Sequence, residues 1–102
     1  MKIRRVINGK NYDTDTASKV ATIKHCGNGY DDFNFESTGL YLTKKGAWFI
    51  AGEGGAMTRW RQEVNGGLAA GQGLELATPT EAQKFLEDVD GPVEEYFQIE
   101  EG

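Results

Sequence analysis

The chain predicts a small α+β domain: an antiparallel sheet of about four or five strands with about two or three short helices on one face. Three observations carry that prediction. Asn8-Gly9 and Lys44-Lys45-Gly46 each lie between runs of strand-forming residues, as hairpin turns do. Phe33-Asn34-Phe35 and Leu40-Tyr41-Leu42 alternate with the period of a strand. Thr78-Pro79-Thr80-Glu81 has the form of a capping box and opens a run of apolar residues at helical spacing.

Taken in order, Ile3, Val6 and Ile7 lead into Asn8-Gly9, and Lys10-Asn11-Tyr12 forms the return strand. Asp13-Thr14-Asp15-Thr16 supplies capping side chains, which predicts a brief helix through Ala17-Ser18-Lys19-Val20. Val20 to Cys26 is strand-like, with Ala21, Ile23 and His25 on one face. After a turn at Cys26-Gly27-Asn28-Gly29, Asp31 to Glu36 alternates as a strand. Thr38-Gly39 separates this strand from a central hairpin in which Leu40, Leu42, Trp48 and Ile50 share a face.

Gly52-Glu53-Gly54-Gly55 reads as a tight corner that ends the sheet pattern. Met57, Trp60, Arg61 and Val64 then recur at helical spacing up to Asn65-Gly66-Gly67. A glycine-rich mobile loop reaches residue 73, and Leu74-Glu75-Leu76 is a short strand. The clearest helix has Thr78 as N-cap, Pro79 at N1 and Glu81 at N3, with Ala82, Phe85, Leu86 and Val89 facing the core. Asp90-Gly91 stops it, and Pro92 opens a last short helix carrying Val93, Tyr96 and Phe97. No stretch reads as a linker, so residues 1–102 form a single domain.

Composition narrows the function classes. The single cysteine, Cys26, permits no intrachain disulfide, which fits a reducing cytoplasm. No apolar run approaches the ~18 residues of a membrane span, and the N-terminus lacks the apolar stretch of a secretory signal. The net charge of −5 is unevenly distributed. Residues 1–61 carry ten Lys/Arg and six Asp/Glu, a charge of +4, while residues 62–102 carry one Lys and ten Asp/Glu, a charge of −9. Such a split bears on partners rather than on fold.

Catalytic constellations are weak. His25-Cys26 pairs a base with a nucleophile, but neighbours on a strand point to opposite faces. One His and one Cys make no zinc site, and Asp13/Asp15 and Asp31/Asp32 read as turn caps rather than metal ligands. No cofactor is expected. Gly52-Glu53-Gly54-Gly55 lacks the lysine of a phosphate loop. Lys44, Lys45, Trp48, Arg59, Trp60 and Arg61 mix cations with aromatics as nucleic-acid surfaces do, yet a pI near 4.8 disfavours direct nucleic-acid binding.

Ile7-Asn8-Gly9-Lys10-Asn11-Tyr12-Asp13-Thr14-Asp15-Thr16-Ala17, Leu40-Tyr41-Leu42-Thr43-Lys44-Lys45-Gly46-Ala47-Trp48-Phe49 and Gly52-Glu53-Gly54-Gly55-Ala56-Met57 together resemble a family of short proteins of phages and bacterial mobile elements. The similarity extends through Thr80-Glu81-Ala82 and spans most of residues 7–89; the basic N-terminus and acidic tail depart from it. It implies no particular activity and transfers no functional residues. Small acidic proteins of such genomes often inhibit host defence, anti-CRISPR proteins among them.

The expected function is therefore non-enzymatic: inhibition of a host defence protein or ribonucleoprotein complex by protein–protein binding. Glu87, Asp88, Glu94 and Glu95 would meet the partner's basic groove, with Lys44, Lys45, Trp48 and Trp60 adding contacts if exposed. The alternative is a self-associating regulatory or scaffold protein, a homodimer paired through a hairpin edge. The double variant His25→Ala/Cys26→Ser is expected to keep the wild-type biological activity. Loss of activity with an unchanged melting curve would restore the enzyme reading.

Overall fold

The first hairpin forms where Asn8-Gly9 predicts it. The computed structural model describes residues 2–25 and 35–98, apart from the side chains of residues 24 and 25. In it β1 (Arg4–Ile7) pairs antiparallel with β2 (Lys10–Asp13) across that two-residue turn. Asn8 and Gly9 have φ of 53° and 76°, the left-handed geometry that matches the twist of the flanking strands.

The next segment departs from expectation. The predicted helix over Ala17–Val20 is absent, and β3 (Ser18–His25) begins there instead. The Asp13 carboxylate accepts the backbone N–H of Asp15 and closes a turn rather than a helix. A four-residue helix gains too little from its own hydrogen bonds to form without packing partners, whereas Ser18 and Lys19 gain ladder partners in the sheet. The chain returns as β4 (Glu36–Leu42), so the strand expected over Asp31–Glu36 lies outside the described residues up to 34. Thr38 and Gly39 do not separate two strands; both lie inside β4.

The Lys44-Lys45-Gly46 turn leads to β5 (Trp48–Gly54), which therefore includes Gly52, Glu53 and Gly54 rather than stopping at them. The predicted helix over Met57–Val64 is also absent. Its spacing was accidental: Trp60 is buried, but Met57 and Val64 are 65% and 47% exposed and share no face with it. Residues 55–61 form successive turns, with Thr58 N–H bonded to Gly55 O and Arg61 N–H to Thr58 O. A small ribbon follows, β6 (Gln62–Val64) with β7 (Gly67–Ala69), turned by Asn65-Gly66. The expected loop up to residue 73 is in part this ribbon and in part β8 (Gly71–Ala77).

The main sheet is antiparallel in the order β3-β4-β5-β8, so the central hairpin β4–β5 is interior and has no free edge. Alternation gives it two distinct faces. On one, Tyr41, Phe49, Ala51 and Leu74 pack against Ile3 and Tyr12 from the β1–β2 end of the chain. Phe49 stacks on Tyr41 with ring centroids 5.1 Å apart and meets Tyr12 edge-on at 5.9 Å. Arg5 hooks this layer to the sheet, its Nη1 donating to the Leu74 carbonyl at 2.8 Å.

On the opposite face, Leu40 and Trp48 pack against Ala82 and Leu86 of α1 (Pro79–Asp88), with Leu42 and Ile50 beside them as the alternation predicts. The capping box is complete: Glu81 N–H donates to Thr78 Oγ1, and Thr78 N–H donates to Glu81 Oε1. Leu86 is fully buried, while Phe85, expected to be equally so, is half-buried. Asp90, at φ 55°, ends α1, and Gly91 N–H bonds back to Leu86 O at 2.8 Å. α2 (Val93–Tyr96) follows, and the Trp48 indole meets Tyr96 edge-on and stacks on Phe97.

Beyond the helices the same face is floored by glycine. Gly52 pairs with Gly73 and Gly54 with Gly71, and the 55–61 turns lie directly on these positions. A Cβ on Gly52 would meet Trp60 Nε1 at 2.5 Å and collide with the Ser37 carbonyl; one on Gly73 would meet the indole ring at 3.0 Å. Gly52→Ala is accordingly expected to cost about 1–3 kcal/mol, the usual range for overpacking. Chemical denaturation measures this, and a change within a few tenths of a kcal/mol would show that the indole does not rest on the strand.

Candidate functional site

Trp60 is 5% exposed and donates its indole N–H to Thr38 Oγ1 at 2.8 Å. Thr38, 1% exposed, in turn donates its own hydroxyl to Glu36 Oε2 at 2.9 Å. The relay runs from the buried indole to a half-buried carboxylate two residues along β4. A hydroxyl donating to a carboxylate resembles an activated nucleophile, but Thr38 is almost wholly buried and its oxygen also accepts the indole N–H.

Glu36 lies on the wall of a groove of about 550 Å3 between the Trp60 turns and α1. Ile23, Ile50 and Phe85 supply its apolar surface. Glu75, Glu81 and Asp88 add carboxylates, and Arg59 and Lys84 are its cations. Glu81 is committed to the helix cap. The Thr78 backbone N–H, followed by the Thr78 side chain, holds its carboxyl below the usual glutamate range.

A second groove, of about 480 Å3, opens on the opposite face between the β1–β2 turn and the β4–β5 turn. Lys10, Lys44 and Lys45 line it with Asn11, Thr16 and Thr43. None of these lysines is ion-paired; among the described residues the one ion pair joins Lys2 to Asp15, at 3.3 Å.

Of the residues singled out in the sequence, Glu87, Asp88, Glu94 and Glu95 are exposed on α1 and α2, and Lys44 and Lys45 are exposed at their turn. Trp48 and Trp60 are 8% and 5% exposed, so neither indole presents the surface contact expected of it. One packs under α2 and the other on the glycine floor. The His25 side chain, Cys26, Asp31 and Asp32 lie outside the described residues. Among the described residues no group of three or more His, Cys, Asp or Glu could hold a metal, and no helix is long and apolar enough to cross a membrane.

The Thr38–Glu36 relay escaped the sequence reading. Its one signal was the alternation of Gly52 with Gly54 and of Gly71 with Gly73. Glycine at every second position leaves one strand face bare, and something flat must cover it.

The structure also redistributes charge. Much of the charge sorts to opposite faces of the sheet, although Arg59 and Lys84 stand on the helical side and Asp13 on the hairpin side. Glu36, Glu75, Glu87, Asp88, Glu94 and Glu95 belong to the helical side, and Arg4, Arg5, Lys10, Lys44 and Lys45 to the hairpin side. Comparison with protein-family models, with curated proteins and with solved structures finds no match to this chain.

The Glu81 cap makes a pH prediction. Its folded-state pKa is depressed, so its stabilisation is complete above the unfolded value of about 4.3 and is lost as pH falls through the lower folded value. Glu81→Gln keeps both hydrogen-bonding groups but cannot titrate. Denaturation midpoints of this variant are expected to fall less steeply below about pH 5 than those of wild type. Parallel profiles would show that the carboxylate charge contributes nothing to the cap.

Proposed function

We propose that this chain is a non-enzymatic binding protein of a phage or mobile element, which inhibits a host nucleic-acid-handling defence complex by occupying a basic surface with its acidic helical face. The observation that carries the reading is the sorting of charge across the sheet. Glu87, Asp88, Glu94 and Glu95 are exposed on two adjoining helices, and none is ion-paired. A protein groove that handles nucleic acid presents arginines and lysines spaced for phosphates. Carboxylates on a rigid helical face attract the same cations and can exclude the nucleic acid.

The resemblance to mobile-element proteins supplies the biological setting, the cytoplasm of a bacterial host. The burial of Thr38 favours binding over catalysis, because the hydroxyl that donates to Glu36 is almost wholly withdrawn from solvent while the carboxylate is not. A second reading, self-association as a small regulatory or scaffold protein, draws on the complementary charge of the two faces. Solution mass separates the two readings.

The test is retention of the wild-type chain and of a Glu87→Lys/Asp88→Lys/Glu94→Lys/Glu95→Lys variant on a host extract, followed by association kinetics with the retained complex. The variant is expected to associate more slowly and with a weaker dependence on ionic strength, since salt screens such steering beyond about 8–10 Å. Equal association rates at low salt would reduce the acidic face to a solubility device.

A further inference from the structure

We infer that the groove beside α1 receives one arginine side chain of the partner protein, with its guanidinium paired to Glu36. This deepens the binding reading above and rests on it. The first support is shape. The groove holds about 550 Å3 and is lined by Ile23, Ile50 and Phe85, which suit the aliphatic stem of a long side chain. Its rim includes exposed Asp88, so it opens on the surface that carries the helical carboxylates.

The second support is the state of Glu36. Oε2 is tethered by Thr38, and Thr38 is fixed by Trp60, so the carboxylate is already oriented before any ligand arrives. Pre-orientation removes part of the entropy cost of capturing a charge. Although Arg59 and Lys84 line the same groove, neither forms an ion pair with Glu36. Among the described residues the site thus holds an oriented anion that no ion pair neutralises. Trp60 and Thr38 are positioning residues; Glu36 makes the contact.

The third support discriminates among cations. A guanidinium donates two parallel hydrogen bonds to a carboxylate and stacks on aromatic faces, and Phe85 is an aromatic side chain lining this groove. An ammonium is a point charge that does neither as well. The basic surfaces that bind nucleic acid, which the acidic face is proposed to address, are rich in arginine.

The chain has two tryptophans, so its indole N–H resonances form a simple probe: Trp60 ends the relay to Glu36, and Trp48 lies under α2 as an internal reference. The full chain is titrated with a capped Gly-Arg-Gly peptide and, separately, with capped Gly-Lys-Gly. The expected result is a saturable shift of the Trp60 indole N–H with the arginine peptide, a clearly weaker response to the lysine peptide, and a stationary Trp48 resonance. Glu36→Gln keeps an acceptor for Thr38 and is expected to weaken the arginine response roughly tenfold, the loss of a charge-assisted hydrogen bond.

No Trp60 shift, equal responses to the two peptides, or an undiminished response in a folded Glu36→Gln variant each overturns the proposal. If that variant does not fold, the wild-type comparison of the two peptides still decides. A silent titration alongside charge-dependent retention of the host complex sinks the arginine anchor alone. Charge-independent retention sinks the acidic-face reading on which the anchor rests.

Discussion

The indole of Trp60 lies flat on glycines from two paired strands, and much of the molecule depends on that contact. Gly52, Gly54, Gly71 and Gly73 weaken β5 and β8 by roughly 0.5–1 kcal/mol each relative to alanine, on the order of 2–4 kcal/mol together. Burying an indole, some 150–250 Å2 of surface at about 25 cal/mol per Å2, returns a comparable amount. The outer half of the sheet and the turns that carry Trp60 therefore stabilise each other, and neither has reason to persist alone. The nitrogen end of the same ring adds the bond to Thr38, so one side chain fixes both the register of the glycine pairs and the direction of the Glu36 carboxylate.

This coupling makes the groove a property of the whole helical face. α1 supplies one wall, held by its capping box and by Ala82 and Leu86 beneath it. The Trp60 turns supply the other. Between them the sheet contributes Ile50 and Glu36 from adjacent strands. The aromatic contacts of Trp48 with Tyr96 and Phe97 keep α2 beside α1, so the acidic residues of both helices stay near the groove mouth.

The elements legible in the sequence are those whose cause is local. Asn8-Gly9 specifies a hairpin through its own backbone preferences, Thr78-Pro79-Thr80-Glu81 specifies a helix start through its own hydrogen bonds, and Leu40, Leu42, Trp48 and Ile50 share a face because strands alternate. Of the two expected helices that failed, the one at Ala17–Val20 was read from capping side chains that close a turn instead, and the one at Met57–Val64 from an apolar spacing that a few residues satisfy by chance. Ser18, Lys19 and residues 62–64 gain strand partners instead, while residues 57–61 form turns. The acidic surface was legible as composition, since charge counts survive folding. Burial of both tryptophans and orientation of Glu36 were not, because they depend on which distant strand lies opposite a glycine.

The free borders of the main sheet carry another consequence. β3 and β8 are its outer strands, and such strands invite hydrogen bonding from foreign chains. On β3 the pairing slips between Lys19 and Ala21, which breaks the regular row of donors and acceptors beside an exposed lysine. On β8 the Leu74 carbonyl is taken by Arg5, and its neighbour Glu75 is exposed and charged. The chain is thereby poorly suited to template fibrous stacking of its own copies, because the pairing row of each border is interrupted.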